Sequence, residues 1–295
     1  MSIEQLEARF GIPGAAQVST GMNGLPKLTL RHGSGASAEV YLHGAHVTSW
    51  KDASGKELFF LSRQSWFEAE RPIRGGIPVI FPQFGGRGPL PAHGIARIHA
   101  WQLVKTETLP GGDVRAVLRL EPNEAIRALW PHPFRLELRV RLGAALTLEL
   151  TAANTGAEAF DFTTAFHTYF AVGDIRRVGV RGLKGVTFVD SLRDNAREVE
   201  PRERITFDRE TDRVYVNAPD RMYIDEESAG GFVIQKRGMA DAVVWNPWIE
   251  KSKRMPDFGD EEYVGMVCVE TGNVDKPVRL AAGESWTGGT EFTAT

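Results

Sequence analysis

The chain has 295 residues, of which 42% are hydrophobic and 25% are charged, and its formal net charge is −3 at pH 7. This balance is typical of a globular protein, and no dense tract of lysine and arginine indicates a nucleic acid or a membrane surface as partner. No apolar run approaches the roughly 18 residues of a membrane-spanning helix, and the single Cys268 excludes an internal disulfide bond. The start, "MSIEQLEARFGIPG", lacks an apolar stretch of signal-peptide length, so we expect a cytoplasmic protein.

Helical patterns are few and short. "SIEQLEARF" predicts an N-terminal helix with Ser2 as its cap, because Ile3, Leu6 and Phe10 share one stripe. "NEAIRALWP" predicts a second, shorter helix that ends before Pro131.

Alternation of apolar and polar residues is the dominant pattern. In "FRLELRVRL" (residues 134–142) the apolar residues occupy every second position, and after Gly143 the same pattern returns in "LTLELT". Two such runs with a short connection predict a β-hairpin with one buried face. Many further short strand patterns follow, separated by Gly, Pro, Asn or Asp. They predict an all-β antiparallel sandwich with few short helices, built as one domain over residues 1–295.

One long segment, residues 71–101, breaks the alternation. It is rich in proline and glycine, which exclude a continuous central strand or helix. It also carries seven polar side chains of interest: Arg71, Arg74, Gln83, Arg87, His93, Arg97 and His99. Such a segment either presents polar groups to a ligand or is a long surface loop with solvated charges.

His167 lies in the apolar run "FTTAFHTYFAV", residues 162–172. If this run is one strand, Phe162, Phe166 and Phe170 share one face, and His167 shares the other with Tyr169. His167 is then either a neutral, hydrogen-bonded core histidine or a group that borders a cavity.

A third unusual segment runs from residue 243 to residue 273. Trp245 and Trp248 flank an Asn-Pro turn, and they either stack on a ligand or cover the core. The acidic run from Asp257 to Glu262 is expected to be solvated. Glu270 follows an apolar run and precedes Thr-Gly, which predicts a strand end at a turn.

Six motifs, in this order, resemble the aldose 1-epimerase superfamily, and specifically its glucose-6-phosphate 1-epimerase branch. They are "RPIRGGIPVIFPQFG", "HGIAR", "FHTYFAVGDI", "DRETDRVY", "VVWNPW" and "CVETGN". The resemblance implies a galactose-mutarotase-like β-supersandwich. It also implies interconversion of the α and β anomers of a hexose 6-phosphate, most simply D-glucose 6-phosphate, without a metal or an organic cofactor.

The resemblance also implies roles for individual residues. His167 and Glu270 match the catalytic histidine and glutamate of the family, and Arg74 and Arg97 match its phosphate-binding arginines. Pocket residues that hold the sugar are matched by Gln83, His93 and Asp212, and more weakly by Arg71 and Trp245.

Ring opening needs one proton removed from the C1 hydroxyl and one delivered to the ring oxygen. We expect Glu270 as carboxylate to do the first and His167 as imidazolium to do the second. A nearby carboxylate favours the charged imidazole, which predicts a raised pKa for His167.

Other interpretations stay open. The substrate is alternatively an unphosphorylated aldose, or the pocket belongs to a non-catalytic carbohydrate-phosphate binding protein. A structural or interaction role has no heptad, repeat or basic patch in its favour. We expect a small-molecule sugar phosphate as partner, no nucleic acid or membrane partner, and a monomer or weak dimer.

Overall fold

The computed structural model describes residues 1–226 and 230–295. The α-helices in these ranges are α1 (Ile3–Phe10), α2 (Glu124–Leu129) and α3 (Trp248–Ser252). No helix in the same two ranges has the length and apolar character to cross a membrane.

Strands make up most of the regular structure. In chain order the strands of the described ranges are β1 (Ala16–Thr20), β2 (Pro26–Arg31), β3 (Ser37–Tyr41), β4 (His46–Lys51), β5 (Val79–Ile80), β6 (Gln102–Thr108), β7 (Val114–Leu120), β8 (Phe134–Leu142), β9 (Leu146–Asn154), β10 (Phe160–Phe166), β11 (Tyr169–Ala171), β12 (Val178–Arg181), β13 (Thr187–Asp190), β14 (Ala196–Val199), β15 (Arg204–Ile205), β16 (Thr211–Tyr215), β17 (Arg221–Glu226), β18 (Gly230–Arg237), β19 (Asp241–Asn246), β20 (Met266–Leu280) and β21 (Ser285–Ala294).

These strands form antiparallel sheets of four, eight and nine strands. The four-stranded sheet has the order β1-β2-β3-β4, and the nine-stranded sheet the order β15-β12-β17-β18-β21-β9-β8-β7-β6. The eight-stranded sheet has the order β14-β13-β16-β19-β20-β10-β5, and β11 also pairs with β20.

The predicted hairpin is confirmed as β8 and β9. Phe134 pairs with Asn154 and Leu142 with Leu146, so the two strands are in register along their whole length. The apolar positions of β8 are buried while the polar positions between them are partly or fully exposed, as period two requires.

Both predicted helices are confirmed. Ser2 and Gln5 form a capping box at the start of α1, which satisfies two backbone N–H groups that would otherwise lack a partner. Asn123 caps α2 by accepting a hydrogen bond from Ile126, and the helix ends before Pro131.

The eight-stranded sheet is buried on both faces. On β20, Val267 and Val269 belong to the large core cluster, whereas Cys268 belongs to a second, smaller cluster on the opposite face. Because side chains alternate along a strand, Glu270 faces the same side as Cys268. This second face carries the candidate site.

Three expectations need correction. The run from Phe162 to Val172 is not one strand, since β10 ends at Phe166 and β11 begins at Tyr169. The segment 71–101 is not a surface loop: most of it is buried, and exposure is concentrated at residues 86–92. Glu270 does not end a strand at a turn, because β20 continues through it to Leu280.

Candidate active site

A cavity of about 440 Å³ lies on the second face of the eight-stranded sheet. Cross-strand register places its side chains together: Asp212 on β16 pairs with Trp245 on β19, and Val243 on β19 pairs with Glu270 on β20. The remaining wall comes from segment 71–101, the β13–β14 turn and α3. The lining residues are Arg74, Phe84, Gly85, Gly86, Arg87, His93, His167, Ser191, Asn195, Asp212, Val243, Trp245, Lys251, Met255 and Glu270.

His167 and Glu270 form a pair at the base of this cavity. His167 Nε2 lies 3.3 Å from Glu270 Oε1, and both side chains are at least nine-tenths buried. His167 Nδ1 and Glu270 Oε2 have no hydrogen-bond partner within the described part of the chain. Buried polar atoms are normally satisfied, so an unpartnered atom on each member is a mark of a site that receives a ligand.

Burial makes both members of the pair neutral. It lowers the pKa of His167 well below the ordinary 6.5, and the positive charges of Arg74 and Arg97 act in the same direction. Burial likewise raises the pKa of Glu270 well above the ordinary 4.5. The expectation of a raised pKa for His167 is therefore wrong, because desolvation outweighs the attraction of one carboxylate. The neutral pair still holds one proton that can move between its two members.

His93 lies beside the pair on a strained turn. Its backbone φ is +65°, and its ring centroid is 5.3 Å from that of His167. Burial lowers the pKa of His93 well below 6.5, so the ring is neutral. The backbone N–H of Gly85 donates to His93 Nδ1 at 3.4 Å, which leaves the proton on Nε2 as a hydrogen-bond donor.

Arg74 is held from two sides. Its Nε donates to Asp257 Oδ2 at 3.2 Å, its Nη2 forms an ion pair with the same oxygen at 3.1 Å, and its Nη1 donates to the Tyr169 hydroxyl at 3.0 Å. A guanidinium has five N–H groups, so N–H groups on both Nη atoms remain for a ligand. Two such groups in a rigid fork match a phosphate or carboxylate.

Arg97 lies behind the cavity wall rather than in it. Its Nη2 donates to the Ala92 carbonyl at 2.7 Å, and its Nε is buried without a partner among the described residues. Burial and the nearby charge of Arg74 lower the pKa of Arg97 to about 10. A buried cation with one hydrogen bond to an uncharged group is costly, which favours a role in holding an anion.

Asp212 lines the cavity. Lys251 Nζ is 3.9 Å from its Oδ2, and burial raises the pKa of the carboxyl despite that cation. The two arginines near it in the sequence pair with other carboxylates. Arg209 pairs with Asp208, and Arg213 pairs with Asp190 and Glu200.

Besides Arg97, two predicted residues lie outside the cavity. The Gln83 amide donates to the carbonyls of Gly85 and Leu90 and accepts from Leu90 N–H, so it shapes the loop that carries Arg87. Arg71 is half exposed, pairs with Glu68 and covers the Trp66 ring. Trp245, also a weaker candidate, does line the cavity.

Comparisons with known proteins identify the family of this chain. Residues 26–293 match the aldose 1-epimerase family. A Cenchrus ciliaris protein assigned as a glucose-6-phosphate 1-epimerase is 44% identical over 90% of this chain and 84% of its own length. An Escherichia coli protein assigned to the same activity is 36% identical over 83% of this chain and 85% of its own length. The chain belongs to the aldose 1-epimerase family.

A solved structure extends this likeness to the fold. A Salmonella typhimurium protein described as a mutarotase superimposes with a TM-score of 0.89 at 30% identity, covering 97% of this chain and 95% of the other. The predicted all-β, galactose-mutarotase-like sandwich is thereby confirmed, and as a member of this family the protein is an isomerase of the epimerase type.

A larger cavity elsewhere in the protein is a second candidate for the active site. One of about 1180 Å³ lies against the four-stranded sheet and residues 57–65, but neither member of the buried pair and no histidine is among its lining residues. Proton transfer in this epimerase needs a donor and an acceptor side by side, so we assign the smaller cavity as the candidate active site.

Sequence reasoning missed Asp257 and Tyr169. Asp257 was expected to be solvated with the rest of its acidic run, yet it is 2% exposed beneath Arg74. Tyr169 was placed on the His167 face but was given no role. An aspartate in an acidic surface run carries no local sign of a partner 183 residues away, so no sequence signal identified it.

Across residues 1–226 and 230–295, no three side chains of His, Cys, Asp or Glu are placed to ligate one metal ion. The expectation that this epimerase needs no cofactor stays a prediction.

Proposed function

We propose that the protein interconverts the α and β anomers of a hexose 6-phosphate, most simply D-glucose 6-phosphate. One observation carries the proposal: the His167–Glu270 pair lies in the same cavity as Arg74, with Arg97 directly behind. A proton-transfer pair serves ring opening, and a pair of arginines serves a phosphate.

The chemistry requires three steps. Glu270 takes the proton of the C1 hydroxyl while His167 delivers a proton to the ring oxygen, so the C1–O5 bond breaks and an open-chain aldehyde forms. Rotation about C1–C2 then presents the other carbonyl face. On closure His167 takes back a proton as O5 attacks C1, and Glu270 returns one to O1. Positioned acid–base assistance of this kind contributes roughly 10²–10⁴-fold.

One mobile proton suffices for this cycle. In the neutral form of the pair the proton lies on Glu270, and moving it across the 3.3 Å contact gives a carboxylate and an imidazolium. Arg74 opposes that transfer, since its positive charge lowers the pKa of His167, whereas Arg97 lowers the pKa of both members. A phosphate bound to Arg74 would offset its charge and favour the imidazolium that the reaction uses.

The two arginines support a phosphosugar as the substrate class. The two negative charges of the phosphate would pair with the free N–H groups of Arg74 and compensate the unpaired charge of Arg97. The Cenchrus ciliaris and Escherichia coli relatives are both assigned as glucose-6-phosphate 1-epimerases, which favours the same substrate class here.

The sugar hydroxyls would be held by the remaining polar side chains of the cavity. His93 offers its Nε2–H, and Asp212 offers carboxyl oxygens. Gln83 acts indirectly, through the loop that it shapes.

An unphosphorylated aldose is the second candidate. The cavity would admit it, but the buried Arg97 would then keep its charge without an anion, whereas Arg74 is paired with Asp257. A non-catalytic binding protein would have no use for a neutral pair that stores a proton.

The test measures anomer exchange on pure α-glucose 6-phosphate by NMR exchange spectroscopy, beside free glucose. Wild type should exceed the spontaneous rate and prefer the phosphosugar. Arg74→Ala should lose most activity on the phosphosugar and change little on free glucose. A wild-type rate equal to the spontaneous one would overturn the proposal.

The expectations of a cytoplasmic location and of a monomer or weak dimer stay predictions, as does the single-domain organisation over residues 1–295. Gel filtration with light scattering tests the oligomeric state.

A further inference from the structure

Tyr169 contacts both working parts of the site. Its side chain is 1% exposed and lies at the start of β11, directly after the break that carries His167. It is not among the residues that line the cavity. Any contribution to the reaction must therefore pass through other side chains.

The hydroxyl of Tyr169 contacts the anion-binding part. It accepts a hydrogen bond from Arg74 Nη1 at 3.0 Å, while the same guanidinium makes a hydrogen bond and an ion pair with Asp257. The backbone adds a second link, since Tyr169 N–H donates to the carbonyl of Gly76, two residues beyond Arg74. Asp257 and Tyr169 together hold the guanidinium in one orientation.

The ring of Tyr169 contacts the proton-transfer part. It stacks on the His167 imidazole with centroids 4.8 Å apart and an interplanar angle of 12°. The ring itself is held by Trp245 at 5.8 Å in an edge-to-face contact and by Phe60 at 6.3 Å. A ring packed on several sides cannot rotate freely, so it restricts the imidazole plane beside it.

We propose that Tyr169 is a positioning residue with two separable tasks: its hydroxyl orients Arg74 for the substrate phosphate, and its ring orients His167 for proton transfer. The inference rests on the proposed function. It explains why one fully buried tyrosine touches both groups, and it makes the rigid Tyr169 ring the connection between phosphate binding and catalysis.

Two variants separate the tasks. Tyr169→Phe keeps the ring and removes the hydroxyl, so KM for glucose 6-phosphate and the inhibition constant of inorganic phosphate should rise together by about 3- to 10-fold, with kcat within about 2-fold of wild type. Tyr169→Leu removes the ring as well, and kcat should then fall by a further factor of about 10–100 because the imidazole is no longer aligned.

Tyr215→Phe is the matched control. Tyr215 is equally buried, and its hydroxyl donates to Glu200 Oε2 at 2.8 Å, away from the cavity. It should lower stability without changing KM, kcat or the inhibition constant of phosphate. A merely structural role for Tyr169 would make Tyr169→Phe behave like Tyr215→Phe.

The outcomes distinguish this inference from the proposed function. If wild type accelerates exchange but Tyr169→Phe leaves KM and phosphate inhibition unchanged, or Tyr169→Leu leaves kcat unchanged, the positioning role fails and the epimerase function stands. If wild type does not accelerate exchange, the proposed function fails. Inhibition constants cannot then be measured. Calorimetric titration of wild type and Tyr169→Phe with inorganic phosphate still tests whether the Tyr169 hydroxyl orients Arg74 for a phosphate.

Discussion

His167 Nε2 lies 3.3 Å from Glu270 Oε1, and each residue keeps one buried polar atom without a partner among the described residues. Desolvation pushes the pKa of His167 down and that of Glu270 up, so the pair is neutral and shares one mobile proton. Such a pair titrates as a unit.

Removing either member should stop proton transfer. We expect His167→Ala and Glu270→Gln each to lower kcat for anomer exchange by about 10²–10⁴-fold, and the double variant to be little worse than either alone, because the two residues act together. NMR exchange rates under saturating substrate provide the measurement.

The partly buried pair of His32 and Asp113, which lies outside the cavity with Nε2 and Oδ1 3.8 Å apart, offers the control. His32→Ala should leave kcat unchanged. Wild-type rates in either catalytic-pair variant would remove that pair from the mechanism.

The pH profile should be bell-shaped with a broad plateau. The cavity face of His167 meets Glu270 and the neutral His93, and the charges of Arg74 and Arg97 together with burial keep the pKa of its imidazolium below 6.5. Burial raises the pKa of Glu270 well above 4.5, so the pair loses its mobile proton only at a correspondingly higher pH. We therefore expect the acid limb of kcat/KM to have its midpoint below 6.5, after correction for the second ionisation of the substrate phosphate near pH 6.

Glu270→Gln should abolish the alkaline limb as well as most of the activity. An acid limb centred above pH 6.5 would show instead that His167 carries the proton in the free enzyme.

Stability should fall as the pH drops from 7 to 5. Burial lowers the pKa of His43 and His93, and it lowers that of His46 to about 3. The unfolded chain binds these protons below pH 6.5 more readily than the folded chain does, so each histidine lowers stability as the pH falls, by up to about 2 kcal/mol at pH 5 for His46. The opposite shifts of His167 and Glu270 offset each other in this window.

Urea unfolding at pH 7, 6 and 5 measures the effect through the free energy of unfolding at constant m. A stability that stays level or rises towards pH 5 would contradict neutral buried histidines.

Arg97 should contribute more to phosphate affinity than to the free energy of unfolding. Replacing a buried charge that has no anionic partner with an apolar side chain of similar length removes a desolvation cost, so Arg97→Met should leave the free energy of unfolding unchanged or raise it by about 1–2 kcal/mol. Affinity for inorganic phosphate should fall at least about tenfold. Urea unfolding and calorimetric titration measure the two quantities.

Arg213→Met provides the contrast. It would leave Asp190 without its cation, while Glu200 keeps Arg202, so it should be destabilising by about 1–3 kcal/mol. A comparable loss in Arg97→Met would assign Arg97 a structural role.

The turn that presents His93 depends on a glycine. Gly94 has φ +73°, and a Cβ there would lie 2.3 Å from the carbonyl oxygen of Phe81. We expect Gly94→Ala to destabilise the protein by more than about 3 kcal/mol, measured as the shift in thermal midpoint.

Gly86, in the same segment, has open space around its Cβ position and no positive φ. Gly86→Ala should change stability by less than about 0.5 kcal/mol. Equal effects of the two substitutions would show that the close approach of Phe81 does not constrain the turn.

Local patterns were sufficient where the determinants are local. The alternation of β8 and β9 and the Ser2 cap of α1 depend on residues within a few positions of one another, so the sequence predicts these elements with their buried faces. The same holds for the two faces around His167, since Phe166 and Phe170 belong to the main core and Tyr169 to the second cluster.

Local patterns misled where a distant segment decides. Thr271-Gly272 resembled a turn, but Gly272 lies within β20. The position requires glycine for another reason: a Cβ there would be 2.3 Å from the carbonyl oxygen of Thr164 on the neighbouring strand. Glycine in a strand often marks such a close backbone approach. Asp257 was misjudged for the same reason, since its partner Arg74 is brought to it by the fold.

The sequence by itself determined the strand-rich class and the face of the chain to which His167 belongs, and the family resemblance supplied the expectation that His167 and Glu270 act as an acid–base pair. The tertiary structure decided that burial favours the neutral form of this pair, that Asp257 and Tyr169 contact Arg74, and that Arg97 lies behind the cavity wall. The physical reason is that side-chain facing follows from a two-residue period along one strand. Desolvation and pairing depend on segments as far apart as the 183 residues between Arg74 and Asp257, which only packing brings together.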